Sequence, residues 1–324
     1  MLAHLGARAL AGALVVAGVV TLTFLLVHAA PGDPVERLLG PTATAGQLVA
    51  QRHALGLDRS LPAQYAIWVG RFARGDWGRS IATGRPVRAL LGDAVPPTVL
   101  LVASSLALSY LIGLAVGAWQ AGADPRVDTA LSVVTVTLFA LPGYWLGLML
   151  VMAFTYAAHW LPAFGATGIA ADALSGWSRL VDQLRHLALP LTTLTLIGIG
   201  GAARFARGAM RDVRSQPFVT TAEAKGLTSF QVTRRHVARN ALIPLVTLLG
   251  LSLPALFSGA VFVEAVFAWP GVGRRLVEAV QARDYPVVMA ATVVTAVLVV
   301  AGNLLADVAV AWIDPRIRRG PRAS

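Results

Sequence analysis

Few side chains in this sequence are spaced to do bond chemistry. The six histidines, His4, His28, His53, His159, His186 and His236, never fall at the i, i+4 spacing that sets two imidazoles on one helix face for a metal. No cysteine occurs, which removes disulfides and thiolate-ligated metals. The single lysine, Lys225, stands between Ala224 and Gly226, so the Gly-Lys-Ser/Thr run that grips nucleotide phosphates is absent. A membrane-embedded serine protease needs Gly-x-Ser-Gly; the nearest approach, Phe257-Ser258-Gly259-Ala260, has Leu256 where that glycine belongs. The Gly-x-Gly-Asp run of an aspartyl type does not occur either. Catalytic residues, a metal site and a cofactor in this chain are therefore not expected.

What remains is charge in unusual places. Arg204, Arg207, Arg211 and Arg214 fall within about 80° of one another around a helix, a basic stripe whose two readings are contact with lipid headgroups and contact with a partner subunit. Asp307 lies inside an apolar run, about 40° around the helix from Asn303 one turn earlier. An intramembrane carboxylate is costly and faces the bundle or a wet cavity. Pairing with a cytoplasmic-side arginine and lining a substrate path are its alternatives. Glu264 closes another apolar run, as a solvated helix end or as part of a functional turn.

These residues sit on a chain that water alone does not accommodate. Of 324 residues, 56% are hydrophobic and 13% charged, about half the charge of a soluble domain, and the mean hydropathy is +0.67. The apolar residues come in runs long enough to cross about 30 Å of hydrocarbon: 9–30, Thr98–Gln120, Thr129–Tyr156, Leu187–Phe205, Ala241–Val263 and Pro286–Ile313. The expected fold is an all-α polytopic membrane protein of about six transmembrane helices, with the lipid bilayer as its solvent. The first run has a rival reading as a cleaved signal peptide, with Val27 and Ala29 at the cleavage site, but its length and the spans that follow favour an uncleaved helix. Pro142-Gly143, Pro190, Gly198, Gly200, Gly201 and Pro254 interrupt the runs, either for close packing or as kinks lining a moving pathway.

The net charge of +11 comes from 26 arginines and Lys225. Aromatic residues are not interleaved with them as a stacking platform for bases, so no nucleic-acid partner is expected. With the N-terminus inside, fourteen Lys/Arg flank the spans on the cytoplasmic side, counting Arg8, Arg126, the 204–239 set and Arg316–Arg322. Five (Arg179, Arg185, Arg274, Arg275 and Arg283) lie in the short outer loops, giving both termini cytoplasmic by the positive-inside rule. Residues 31–97 form an extracytoplasmic insertion, with a helix over 45–55 stopped by Gly56, a second from Pro62 to about Arg74, and a third that Pro86 opens. In the segment 205–240, Pro217 starts a short helix and Gly226 stops it. Ser229 caps a second helix running to about Arg239. Two short helices fixed to the bundle at both ends make a protrusion that a soluble partner can push.

The run Ala222-Glu223-Ala224-Lys225-Gly226-Leu227, with His236 and Arg239-Asn240-Ala241-Leu242-Ile243-Pro244, resembles the ATPase-coupling loop of oligopeptide/dipeptide-type ABC importer permeases. The likeness continues through Val263–Arg274, Arg283–Val288, Asn303, Asp307 and Asp314–Arg318. It reaches forward to Ala30–Pro34, Leu55–Asp58 and Gly75-Asp76-Trp77-Gly78-Arg79-Ser80. The wider superfamily has Glu-Ala-Ala where this chain has Thr220-Thr221-Ala222; the peptide branch commonly lacks that glutamate. The resemblance implies a first helix (1–30), the insertion (31–97), a permease core (98–318) carrying the coupling loop, and a cytoplasmic tail (319–324). It also implies a pathway half in a bacterial-type inner membrane, with Glu264, Phe267, Trp269, Pro270 and Gly271 at the outer gate. The implied partners are a homologous second permease, two cytoplasmic ATPase subunits holding ATP and Mg, and an extracytoplasmic substrate-binding protein. The cargo would be di- or oligopeptides or related solutes such as nickel chelates or glutathione. A self-contained secondary transporter or channel, the rival, needs paired charges at mid-membrane depth in both halves, and only Asp307 is a candidate.

Overall fold

The structure is a computed structural model that describes residues 2–29, 35, 39, 40, 42–168 and 171–313. The Ala30–Pro34 motif, Asp314–Arg318, the basic residues beyond them and the 319–324 tail lie outside the described residues. Helices dominate: α1 (Leu2–Ala29), α2 (Ala45–Leu55), α3 (Leu61–Ala73), α4 (Val87–Gly122), α5 (Pro125–Ala140), α6 (Gly143–Leu150), α7 (Gly176–Arg214), α8 (Pro217–Ala224), α9 (Ser229–Val232), α10 (Ala238–Val266), α11 (Val272–Ala282) and α12 (Tyr285–Ile313). Among the described residues, five helices are long and apolar enough to cross a bilayer, and α5 with the α6 segment makes a sixth if that bent pair is one span.

Two expected spans take a different shape. The third breaks at Leu141-Pro142, bending by 103°. Leu141 precedes proline, which disfavours the helical region, and its backbone is extended at φ −69°, ψ 134°. The helix restarts at Gly143 and ends in a π-helical turn, Val151–Ala157. Conversely, the separate short helix expected from Pro86 does not form. One helix runs from Val87 through Pro96-Pro97 to Gly122. Its buried positions, Val87, Leu91, Ala94, Thr98, Leu101, Ser105 and Ser109, recur every three or four residues across the prolines, so one stripe is buried along its whole length.

The chain divides into two compact units. One comprises residues 10–98 and 270–298. Its core gathers Phe24, Val27, Val87, Leu90, Leu91, Ala94, Val272, Ala279 and Val287–Ala291. A run of stacked rings lies against it, Trp68 on Phe72 at 5.1 Å and Phe72 on Trp77 at 4.8 Å. The insertion follows the expected local rules: Gly56 caps α2 with φ 70°, and Pro62 sits in the first turn of α3. Two motifs far apart in sequence meet in this unit. Asp284, 2% exposed, accepts hydrogen bonds from Ser80 Oγ at 2.5 Å and the Ala82 amide at 3.2 Å.

The other unit comprises residues 1–9, 99–269 and 299–324. Here α7 packs against α5, α6 and α10. The glycines of α7 serve close packing: a Cβ on Gly200 would lie 2.4 Å from the Thr135 carbonyl oxygen, so any larger residue would separate α5 from α7.

Candidate functional site

The segment expected to couple to a partner is built on short-range hydrogen bonds. Pro217 occupies the first turn of α8. At its far end the Gly226 amide donates to the Glu223 carbonyl at 2.9 Å, the Leu227 amide to the Ala222 carbonyl at 3.4 Å, and Gly226 takes φ 82°. That left-handed corner is cheap only for glycine. The next helix is capped one residue earlier than expected. Thr228 rather than Ser229 forms the capping box, its amide donating to Gln231 Oε1 at 3.0 Å and its Oγ1 accepting from the Gln231 amide at 3.3 Å. Beyond α9 the chain does not stop at Arg239. It passes through a π-helical turn, Thr233–Val237, directly into α10. Asn240 Nδ2 donates to the His236 carbonyl at 2.7 Å beside that turn. Pro244 lies within α10, in a stretch (242–247) whose side chains lie outside the described residues.

One face of this loop is inside and one is out. Val219, Ala222, Val232, Val237 and Ala241 are buried with Ala206 and Met210 of α7. Phe218, Thr220, Thr221, Glu223, Ala224, Lys225 and Gly226 are exposed, as are Arg234, Arg235, Arg239 and Asn240. Of the expected coupling residues, Ala222 is thus an anchor and not a contact surface. His236 is half-buried.

The basic stripe has partners within the chain that neither expected reading included. Arg207 and Arg211 converge on Asp128 of α5; Arg207 forks onto both carboxylate oxygens at 2.5 Å, and Arg211 adds a bond of 2.9 Å. Arg204 lies 4.6 Å over the Phe139 ring, and Arg214 donates to Thr233 Oγ1 at 2.7 Å. The guanidinium planes fit carboxylate and ring surfaces within the chain, so the stripe is an internal staple. Sequence reasoning missed Asp128, Thr233 and Gln120, whose side-chain amide donates to the Asp128 carbonyl and Ser132. The available signal was Asp128 itself, an acid between the apolar runs Thr98–Gln120 and Thr129–Tyr156, on the same expected side of the membrane as the arginines.

The turn expected at the outer gate is held differently. Glu264 is fully buried, not a solvated helix end. Phe267 is 1% and Trp269 4% exposed. The Trp269 amide donates to the Glu264 carbonyl, and the Phe267 carbonyl accepts from Gly165 at 2.9 Å. Ala268 adopts φ 50°, a strained choice for alanine held in place by its buried neighbours. At Pro270 the chain enters the other unit, where Gly271 caps α11 and the Val272 amide donates to Thr98 Oγ1 at 2.8 Å.

Asp307 pairs with Arg8 through bonds of 2.5 and 2.7 Å, the partner type its first reading required. Asn303 is half-buried, and its Oδ1 has no hydrogen-bond partner among the described residues. A cavity of about 380 Å³ between the end of the Val151–Ala157 turn and the start of α7 was not foreseen. Two of its polar groups are engaged with the chain: Asp182 Oδ2 accepts from the Gly168 amide at 2.8 Å, and Arg185 donates to the Trp160 carbonyl at 2.8 Å, while Thr155 Oγ1 has no hydrogen-bond partner among the described residues.

Long apolar helices with a loop of two short helices, α8 and α9, rooted between α7 and α10 define a membrane-protein architecture. The chain belongs to the binding-protein-dependent transport system inner-membrane component family, whose model matches residues 90–319, with the family's N-terminal model matching 1–102. It is a multi-pass transport subunit of the inner membrane, not an enzyme. It is 35% identical over 319 residues to the oligopeptide transport system permease protein AppB of Bacillus subtilis (strain 168), covering 98% of this chain and 99% of that one. It is 39% identical over 322 residues to the probable D,D-dipeptide transport system permease protein DdpB of Escherichia coli (strain K12), covering 95% of each. Among solved structures, the inward-facing MetNI methionine ABC transporter shares the fold at a TM-score of 0.59 and 18% identity, over 71% of this chain and 98% of that one.

Proposed function

We propose that this chain forms half of the translocation pathway of an ATP-driven importer for di- or oligopeptides. The observation that carries this reading is its similarity, at 35% and 39% identity and nearly full length, to permeases named for oligopeptide and D,D-dipeptide transport. A homologous second permease supplies the other half, and an extracytoplasmic binding protein delivers cargo. Two cytoplasmic ATPase subunits hold ATP and Mg and dock on the 205–240 loops. The exposed face from Phe218 to Lys225, backed by a buried apolar anchor, suits such docking. Glu264, Phe267, Trp269, Pro270 and Gly271 serve the outer gate, and Asn303 and Asp307 act within the last span. Both termini face the cytoplasm and 31–97 lies outside, as the fourteen-to-five basic count supports.

Transport by this chain then requires the whole assembly. The complex is reconstituted in proteoliposomes, and the cargo held by its co-purified binding protein is identified by mass spectrometry. ATP-dependent uptake of a peptide found there is the expected result. Uptake at the same rate without the ATPase subunits, or a bound cargo that is not a peptide, would contradict the proposal.

A further inference from the structure

The last arginine of the stripe sits at the root of the coupling loop. Arg214 ends α7, and its Nη2 donates to Thr233 Oγ1 at 2.7 Å, at the first residue of the π-helical turn. Its Nη1 reaches the Ala121 carbonyl at 3.4 Å, in the last turn of α4. The terminal carbonyls of a helix lack intrahelical donors and carry its negative dipole end, so a guanidinium there is well placed. The guanidinium lies close against a glycine: a Cβ on Gly122 would lie 3.2 Å from both terminal nitrogens of Arg214. One rigid planar fork thus holds two acceptors from separate elements, a geometry that a lysine's single ammonium does not reproduce.

The elements it joins are the ones through which a push on the loop must pass. Val219, Ala222, Val232 and Val237 already fix the loop's inner face to Ala206 and Met210 of α7. Further along α7, Arg207 and Arg211 tie α5 through Asp128. The π-helical turn between α9 and α10 is where this path has irregular backbone, and such turns are frequent at functional sites. The Arg214–Thr233 hydrogen bond ties the first residue of that turn to the end of α7.

We propose that Arg214 is a positioning residue that clamps the π-helical turn of the coupling loop to the ends of α4 and α7. Force on the exposed face of α8 is then delivered to these spans together instead of being absorbed at the turn. The transmission part rests on the coupling-loop reading; the clamp itself does not.

The test has two arms. In the first, the full-length cysteine-free chain in lipid nanodiscs carries spin labels at Arg126→Cys and Glu223→Cys, both exposed positions. Double electron–electron resonance is expected to give one narrow distance distribution. Arg214→Gln should broaden it, and Thr233→Val should broaden it in the same direction. An unchanged distribution in Arg214→Gln overturns the clamp, whatever the loop docks. In the second arm, the assembled transporter carries Arg214→Gln. The ATPases should still co-purify and hydrolyse ATP. Stimulation of that hydrolysis by the binding protein should fall about tenfold, the equilibrium equivalent of one lost charge-assisted hydrogen bond. Arg214→Lys should lie between the two. Wild-type stimulation in Arg214→Gln, or loss of the ATPases from that complex, overturns the transmission role. If the wild-type chain fails to bind ATPases, the coupling-loop reading fails, and the first arm still decides the clamp.

Discussion

The corner at Gly226 and the turn from Glu264 to Trp269 are both short reversals after a helix, closed by the same pattern of backbone hydrogen bonds but set in different surroundings. The first is closed by hydrogen bonds between residues two to five apart, with exposed Glu223, Lys225 and Gly226 at its tip. The second has the same local bonds, the Ala268 amide to the Ala265 carbonyl at 3.3 Å and the Trp269 amide to the Glu264 carbonyl at 2.9 Å, but Glu264, Phe267 and Trp269 are almost wholly withdrawn from the surface, and the Phe267 carbonyl takes a donor from Gly165. A turn whose tip is exposed can offer its face to a partner without disturbing the bundle. A turn whose side chains are buried moves only when its neighbours do, which suits a gate better than a docking surface.

Substitutions separate the two regimes. The largest effect is expected at Phe267, where the ring lies 3.0 Å from a Cβ built on Gly147. Phe267→Ala should destabilise the purified protein by about 3–5 kcal/mol, the usual cost of deleting a buried aromatic side chain. Thermal unfolding in detergent measures it, and a melting temperature within a degree of wild type would remove the packing account of this turn. Gly226→Val should come next, with backbone strain of roughly 1–3 kcal/mol. Because its neighbours are exposed, that variant should insert normally but carry less ATPase and lose uptake. Normal assembly and transport would leave Gly226 as a helix stop and nothing more. Arg8→Gln should cost less, about 0–1 kcal/mol, since the Arg8 side chain of the Asp307 pair is half-exposed. A drop as large as that of Phe267→Ala would show that this pair is a principal brace of the bundle. Arg235→Glu, on the exposed side of the π-helical turn, should change the melting temperature least of all.

The same contrast explains what could be read in the sequence. Gly56, Pro62, Pro217 and Gly226 act through their own φ angles and the amides within one turn, so their types alone place the helix ends. The motif around Lys225 marked the loop by its family resemblance. The continuity of α4 across Pro96-Pro97 was hidden, because prolines predict an end unless the buried stripe on both sides is known to be one surface. The break at Leu141-Pro142 was visible as an interruption, but its 103° bend was not. The arginine stripe was legible as a stripe and not as a staple, since Asp128 lies 79 and 83 residues from Arg207 and Arg211. Burial of Glu264 likewise depends on packing that no local pattern encodes.

The account stands on the exposed face of α8 meeting an ATPase while the insertion faces the other side of the membrane. A photo-crosslinking amino acid placed at Glu223 in the assembled complex tests this most directly, with the same probe at exposed Ser60 as its counterpart. Capture of an ATPase subunit from Glu223, and of the binding protein but no ATPase from Ser60, is the predicted result. Capture of the ATPase from Ser60, or of the binding protein from Glu223, would contradict it.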